Sequence, residues 1–137
     1  MKHFRRLWTS SDSTDVAQRT VCETFGHAFI TYYGLDSQPS ASNLSELASI
    51  RSRAVELVSR VMQQEDVALS KKVSALIDLA CAEFMSNGAP AFEHLVEQAE
   101  ALLLQVFPRG STINLATLRG FEQFGLVNVC LFLLFFW

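Results

Sequence analysis

The side chains that could do chemistry are few and scattered. The histidines are His3, His27 and His94, and the cysteines are Cys22, Cys81 and Cys130. A helical metal site wants two ligands three or four residues apart, so that both project from one face. No two of these six residues have that spacing, and Cys22 and His27, five apart, fit one face poorly. Glu93, Glu97 and Glu100 do follow a helical repeat. A carboxylate-bridged di-metal bundle would pair such glutamates with Glu-x-x-His on facing helices, and the chain contains no Glu-x-x-His. Glycine-rich phosphate loops, a nucleophile elbow and a His-Glu-x-x-His helix are also missing. The expectation is a protein that is not an enzyme, with no catalytic residues, cofactor, metal or small-molecule substrate.

Charge gives weaker leads. The net charge of -3 argues against nucleic-acid binding by bulk charge, though a local basic strip remains compatible with it. Lys2, Arg5 and Arg6 precede the first acid, Asp12, so residues 1–12 read as a basic arm. Arg51, Arg53 and Arg60 make the middle of the chain its most basic part, and they are the candidates for RNA or phosphate contact. The widely spaced, odd-numbered cysteines fit free thiols in a reducing, intracellular compartment.

The elements that must position these residues are helical. Turn clusters at Gly34–Ser40, Asn87–Pro90 and Pro108–Ser111 divide the chain, and no run alternates with period two. The first helix is expected from about Ser13 to Tyr33, with Ala17, Val21, Phe25, Ala28, Phe29 and Tyr32 as its apolar face and Gly34 as its stop. Gly26 inside it suggests close helix packing or a bend. A second helix is expected to start on Asn43 as N-cap with Glu46 completing a capping box. A third begins around Asp66, with Leu69, Val73, Leu76, Ile77, Ala80 and Phe84 inward, and stops at Gly88. A fourth opens at Pro90 and ends before Pro108, with Phe92, Leu95, Val96, Ala99, Leu102, Leu103 and Val106 inward. Residues 13–110 thus form an amphipathic bundle, and 111–137 an apolar helix of the same domain. The expected fold is all-α: a four- to five-helix bundle, mostly antiparallel, with an all-apolar C-terminal helix.

From Phe124 to Trp137 no residue is charged. Leu126, Leu131, Phe132, Phe135 and Trp137 need cover from a core, a partner or a membrane. Fourteen helical residues span about 21 Å, short of the roughly 30 Å hydrocarbon layer. Burial as the last helix of the bundle is therefore favoured over a full membrane span.

Two blocks of the sequence resemble the coat proteins of rod-shaped plant viruses of the tobamovirus type. The first is Trp8 followed by Val21-Cys22-Glu23-Thr24-Phe25-Gly26-His27-Ala28-Phe29. The second is Arg109-Gly110-Ser111, then Arg119-Gly120-Phe121-Glu122, then Gly125-Leu126-Val127. The resemblance implies a helical subunit that self-assembles around single-stranded RNA in a virion, with Arg119 and Glu122 as an ion pair within or between subunits. The family's Arg-Phe-Pro element between the middle helices is absent, so no RNA-binding residue carries over.

Bundle pattern and tail together point to a helical assembly or interaction protein. The expected partners are further copies of itself and, through the resemblance, single-stranded RNA. The alternative is a membrane-associated helical regulator that uses the apolar segment as an anchor at a membrane surface.

Overall fold

The computed structural model describes residues 12–34, 38–106, 108–110 and 112. They form four helices and no strand: α1 (Ser13–Tyr33), α2 (Ala41–Gln63), α3 (Leu69–Asn87) and α4 (Ala89–Val106). The all-α bundle expected from periodicity is what the described residues build. The expected basic arm, residues 1–11 of it, and the expected apolar C-terminal helix lie outside them. Among the described residues, no helix is long and apolar enough to cross a membrane.

Local chemistry sets the helix ends. Asp12 caps α1, its carboxylate accepting from the backbone N–H groups of Thr14 at 2.9 Å and Asp15 at 3.4 Å. Gly34 ends α1 because a Cβ there would stand 2.4 Å from the carbonyl oxygen of Ile30. The start of α2 differs from the expectation: Ser40, not Asn43, is the N-cap, and its hydroxyl accepts from the Asn43 N–H at 3.1 Å. With Ser40 extended and no breaker between 41 and 43, the helix gains three residues at its start. Residues 64–68 separate α2 from α3, and α3 begins at Leu69 rather than near Asp66. Lys72 donates from Nζ to the Met62 carbonyl at 3.2 Å, so the start of α3 satisfies the end of α2. Gly88, at φ 77°, is the left-handed residue that closes α3 and lets α4 follow at once.

Cross-helix contacts give the topology. Ser13 at the start of α1 donates to Gln64 just past the end of α2, at 2.9 Å. Arg51 reaches Glu83, while Lys72 reaches Met62, so α2 and α3 are also antiparallel. Gln18 bonds Asp78, and Lys71 lies close enough to Asp12 to act on its carboxyl, so α1 and α3 run the same way. Phe84 and Phe92 meet edge to face, with centroids 5.6 Å apart, where α4 turns back along α3. The bundle is up-down-up-down. α3 packs on all three other helices, α1 also packs on α2, and α4 packs on α3 while barely meeting α1 or α2.

The core follows that order. Val73, Ala75, Leu76, Ile77, Leu79, Ala80 and Ala82 of α3 are buried around most of the helix, together with Ala54, Val58 and Val61 of α2 and Val96, Ala99 and Leu103 of α4. On α1 the expectation fails in an informative way. The buried residues are Thr14, Asp15, Ala17, Thr20, Val21, Thr24, Ala28 and Thr31, whereas Phe25, Phe29 and Tyr32 are exposed. Small residues let α1 approach its neighbours closely. The threonines bring little polar cost, because Thr20 and Thr24 donate to the carbonyls of Val16 and Thr20 at 2.9 and 2.8 Å. Phe84, expected inward on α3, is likewise 54% exposed.

α1 continues unbroken through Gly26, and among the described residues none crowds it: a Cβ placed there meets nothing within 4 Å. Gly26→Ala is therefore expected to stabilise the fold by about 0.5–1 kcal/mol, the ordinary helix-interior difference. The urea midpoint should rise with an unchanged m-value. A fall would place an undescribed segment against that position.

Candidate interaction surface

The described histidines and cysteines do not converge. Among the described residues, no three His, Cys, Asp or Glu side chains are grouped to hold a metal ion. His94 is exposed on α4, a ring nitrogen 2.9 Å from the Gln98 amide, and Glu93 and Glu97 face solvent beside it while Glu100 is half-buried. Cys22 and Cys81 are free thiols on α1 and α3. Burial pushes both thiols up, with Asp78 adding to the effect on each. Both are thereby held in the protonated, less nucleophilic form.

The three arginines offered for RNA contact divide. Arg51 points at α3, and its guanidinium grips Glu83 with two bonds, Nε to Oε1 at 2.6 Å and Nη2 to Oε2 at 2.8 Å. Arg53 and Arg60, seven residues apart, share another side of α2, roughly 160–180° around from Arg51. Both are exposed, and Arg60 pairs with Glu56 one turn earlier. The three therefore make no continuous strip. Arg119, Glu122, Leu126, Leu131, Phe132, Phe135 and Trp137 lie outside the described residues.

Glu83 was not singled out by sequence, although it is the most informative polar residue of the core. It is 3% exposed and held by Arg51 and by the Asn87 amide at 3.1 Å. A glutamate at an apolar-periodic position, with an asparagine four residues on, was the available signal.

What the described surface does concentrate is apolar area. Phe25, Phe29, Ile30, Tyr32 and Tyr33 are all exposed within the last three turns of α1, Phe29 at 53%, Ile30 at 68% and Tyr33 at 64%. The Phe29 and Tyr33 rings stack with centroids 5.7 Å apart. Each of Phe25, Phe29 and Tyr32 directly follows a buried residue, so this stripe is turned about 100° from the core stripe. Gln18, two turns before Phe25 on the same side, donates to Asp78 of α3 at 3.0 Å. The stripe thus borders α3, and Ile30 and Tyr33 point further outward. Exposed apolar residues gathered on one helix mark a contact surface, where single scattered ones would not.

Comparison of the chain with protein-family models, curated proteins and solved structures finds no match.

Two tests follow from these contacts. Arg51→Met should cost about 2 kcal/mol, less than a fully buried pair, because the Arg51 side chain is 37% exposed. Most of that loss should return in the double variant Arg51→Met/Glu83→Leu, read by urea unfolding. Burial raises the Asp78 carboxyl above its ordinary value, with the Gln18 bond acting the other way. A carboxyl raised by folding holds its proton longer in the native state, so stability falls as pH climbs from the ordinary aspartate value through the raised one. Asp78→Asn should therefore gain on the parent between pH 4 and pH 7 in urea midpoints. A constant difference across that range would rule out the burial effect.

Proposed function

We propose that this chain is a non-enzymatic helical assembly protein that associates through the outward apolar surface of α1. The observation that carries the proposal is the cluster of Phe29, Ile30 and Tyr33. Aromatic side chains of this kind supply most of the energy of protein interfaces. They stand on a helix already anchored to α2 and α3, so little order has to be gained on binding. A second copy is the partner proposed. A coat-like subunit is the narrower form of the same reading. In it, Arg53 and Arg60 are the arginines positioned for a phosphate backbone, because Arg51 is engaged with Glu83.

Light scattering across a concentration series tests the reading. The parent protein should form oligomers whose mass rises with concentration, and Ile30→Ser/Tyr33→Ser should shift them towards monomer by about tenfold or more in apparent Kd, since 1.4 kcal/mol is tenfold. Circular dichroism should be unchanged, because both side chains lie outside the core. A parent that stays monomeric at high concentration overturns the proposal. In the coat-like form, the oligomers carry RNA, visible in the absorbance ratio, and Arg53→Ala/Arg60→Ala reduces the salt sensitivity of its retention. RNA-free oligomers would leave assembly and remove the RNA.

A further inference from the structure

Four asparagines occur in the chain, and Asn87 is the one followed by glycine. The side-chain amide of an asparagine can be attacked by the backbone nitrogen of the next residue, closing a five-membered ring. Glycine in that next position favours the attack, because no Cβ shields its nitrogen and its backbone turns freely. The fold puts this pair at the junction of α3 and α4. Asn87 is the last residue of α3 and is exposed. Gly88 is left-handed at φ 77°, and among the described residues none lies within 4 Å of a Cβ built on it. We infer that Asn87–Gly88 is a site of spontaneous deamidation, held back by the hydrogen bond from Asn87 to Glu83, and that its product loosens the Arg51–Glu83 bridge.

Water and hydroxide are the only other reactants. Hydroxide takes the proton of the Gly88 N–H, and the nitrogen attacks Cγ of Asn87. The N–Cγ bond forms and the Cγ–Nδ2 bond breaks. Nδ2 takes a proton from water and leaves as ammonia, which returns the hydroxide. Water then opens the cyclic imide at either of its carbonyls. One opening leaves aspartate at 87. The other leaves isoaspartate, in which the main chain runs on through the side-chain carboxyl carbon.

Both reacting groups are engaged in the native bundle. Asn87 donates from Nδ2 to Oε2 of Glu83 at 3.1 Å. Glu83 lies one turn back, so this bond draws the amide towards the start of α3 and away from the Gly88 nitrogen. The Gly88 N–H donates to the Phe84 carbonyl at 3.1 Å. Glu83 is fixed in its turn, 3% exposed and gripped by Arg51 through bonds of 2.6 and 2.8 Å. Reaction therefore waits on opening of the last turn of α3. Helix ends open far more often than whole domains unfold, so the bundle need not unfold for it.

The product does not fit where the amide did. Aspartate at 87 has no N–H for Glu83, and it sets a second carboxylate four residues from the first, which is unfavourable on a helix. It also puts negative charge at the C-terminal end of α3, where the helix dipole opposes it. Isoaspartate lengthens the main chain by one carbon and shifts the Gly88 N–H from the Phe84 carbonyl. Each effect falls on Glu83 or on the turn that closes α3, and hence on the contact that sets α2 against α3. None of these contacts enters the association reading.

Peptide mapping by mass spectrometry tests the site, on protein held in mildly alkaline buffer. Deamidation should appear at Asn87 well before Asn43, and at least about tenfold more slowly in the native protein than in the chain unfolded by guanidinium. Arg51→Met/Glu83→Leu removes the acceptor of Asn87 while retaining most of the bundle's stability. Its native rate should rise about tenfold, the factor for one lost hydrogen bond to a charged group. Glu83→Gln, with a weaker neutral acceptor, should give a smaller rise. Asn87→Asp should lower the urea midpoint. Those results support the inference. Earlier reaction at Asn43, or a native rate equal to the unfolded one, would overturn the site. An unchanged rate in both Glu83 variants would overturn the hold by Glu83, as would rises no larger than their loss of global stability in urea explains. An Asn87→Asp variant as stable as the parent would overturn the loosening.

Discussion

α3 has to be buried on three sides at once, and the rest of the bundle is arranged around that constraint. A helix with one apolar face needs large side chains to reach its neighbour, whereas a helix with three needs small ones to let all of them approach. α3 answers with Ala75, Ala80 and Ala82 between Val73, Leu76, Ile77 and Leu79. Its neighbours answer in kind with Ala17, Ala54 and Ala99, each with no exposed surface. On α3, Glu83 departs from this apolar packing. A carboxylate is tolerated there because Arg51 meets it from α2 with two bonds and Asn87 adds a third from the next turn. Because removing either charge would strand the other, the pair also fixes how far α2 can slide along α3.

That constraint explains which parts of the fold were legible in the sequence. Helix existence was, because the stripes on α2, α3 and α4 recur every three or four residues over long runs. Stops at Gly34 and Gly88 were legible for steric reasons specific to glycine. The face of α1 was not. Counting large apolar residues selects Phe25, Phe29 and Tyr32, but the position beside a small-residue helix is decided by size rather than hydrophobicity. Threonine looks polar in a pattern and behaves as a small core residue once its hydroxyl bonds the preceding turn. The N-cap of α2 was misplaced for a similar reason. Asn43 and Glu46 make a plausible box, yet Ser40 offers a cap three residues earlier and nothing between them breaks a helix.

Candidate chemistry was legible mostly as spacing. Sequence could count the residues between arginines but not which neighbour each would meet. Arg51 differs from Arg53 only in lying on the side of α2 that meets α3, and that side depends on the packing of the third helix. Cys22 and Cys81, sixty positions apart in sequence to within one residue, come under the influence of the same Asp78 because α1 and α3 run in parallel. Such pairings are set by topology, and no single-sequence pattern carries them.

The two stripes of α1 cannot exchange roles. Turning α1 by about 100° would bring Phe25, Phe29 and Tyr32 against α2 and α3 and carry Ala17, Thr24 and Ala28 away. The rings would then have to fit into the space that Ala17, Thr24 and Ala28 fill with small side chains, and overpacking of this kind costs about 1–3 kcal/mol per site. Stability of the described bundle thus requires the aromatic stripe to be outside it. An exposed stripe of that size is itself unfavourable in water, by about 25 cal/mol for each Å² left uncovered. The four helices therefore create a demand they do not meet.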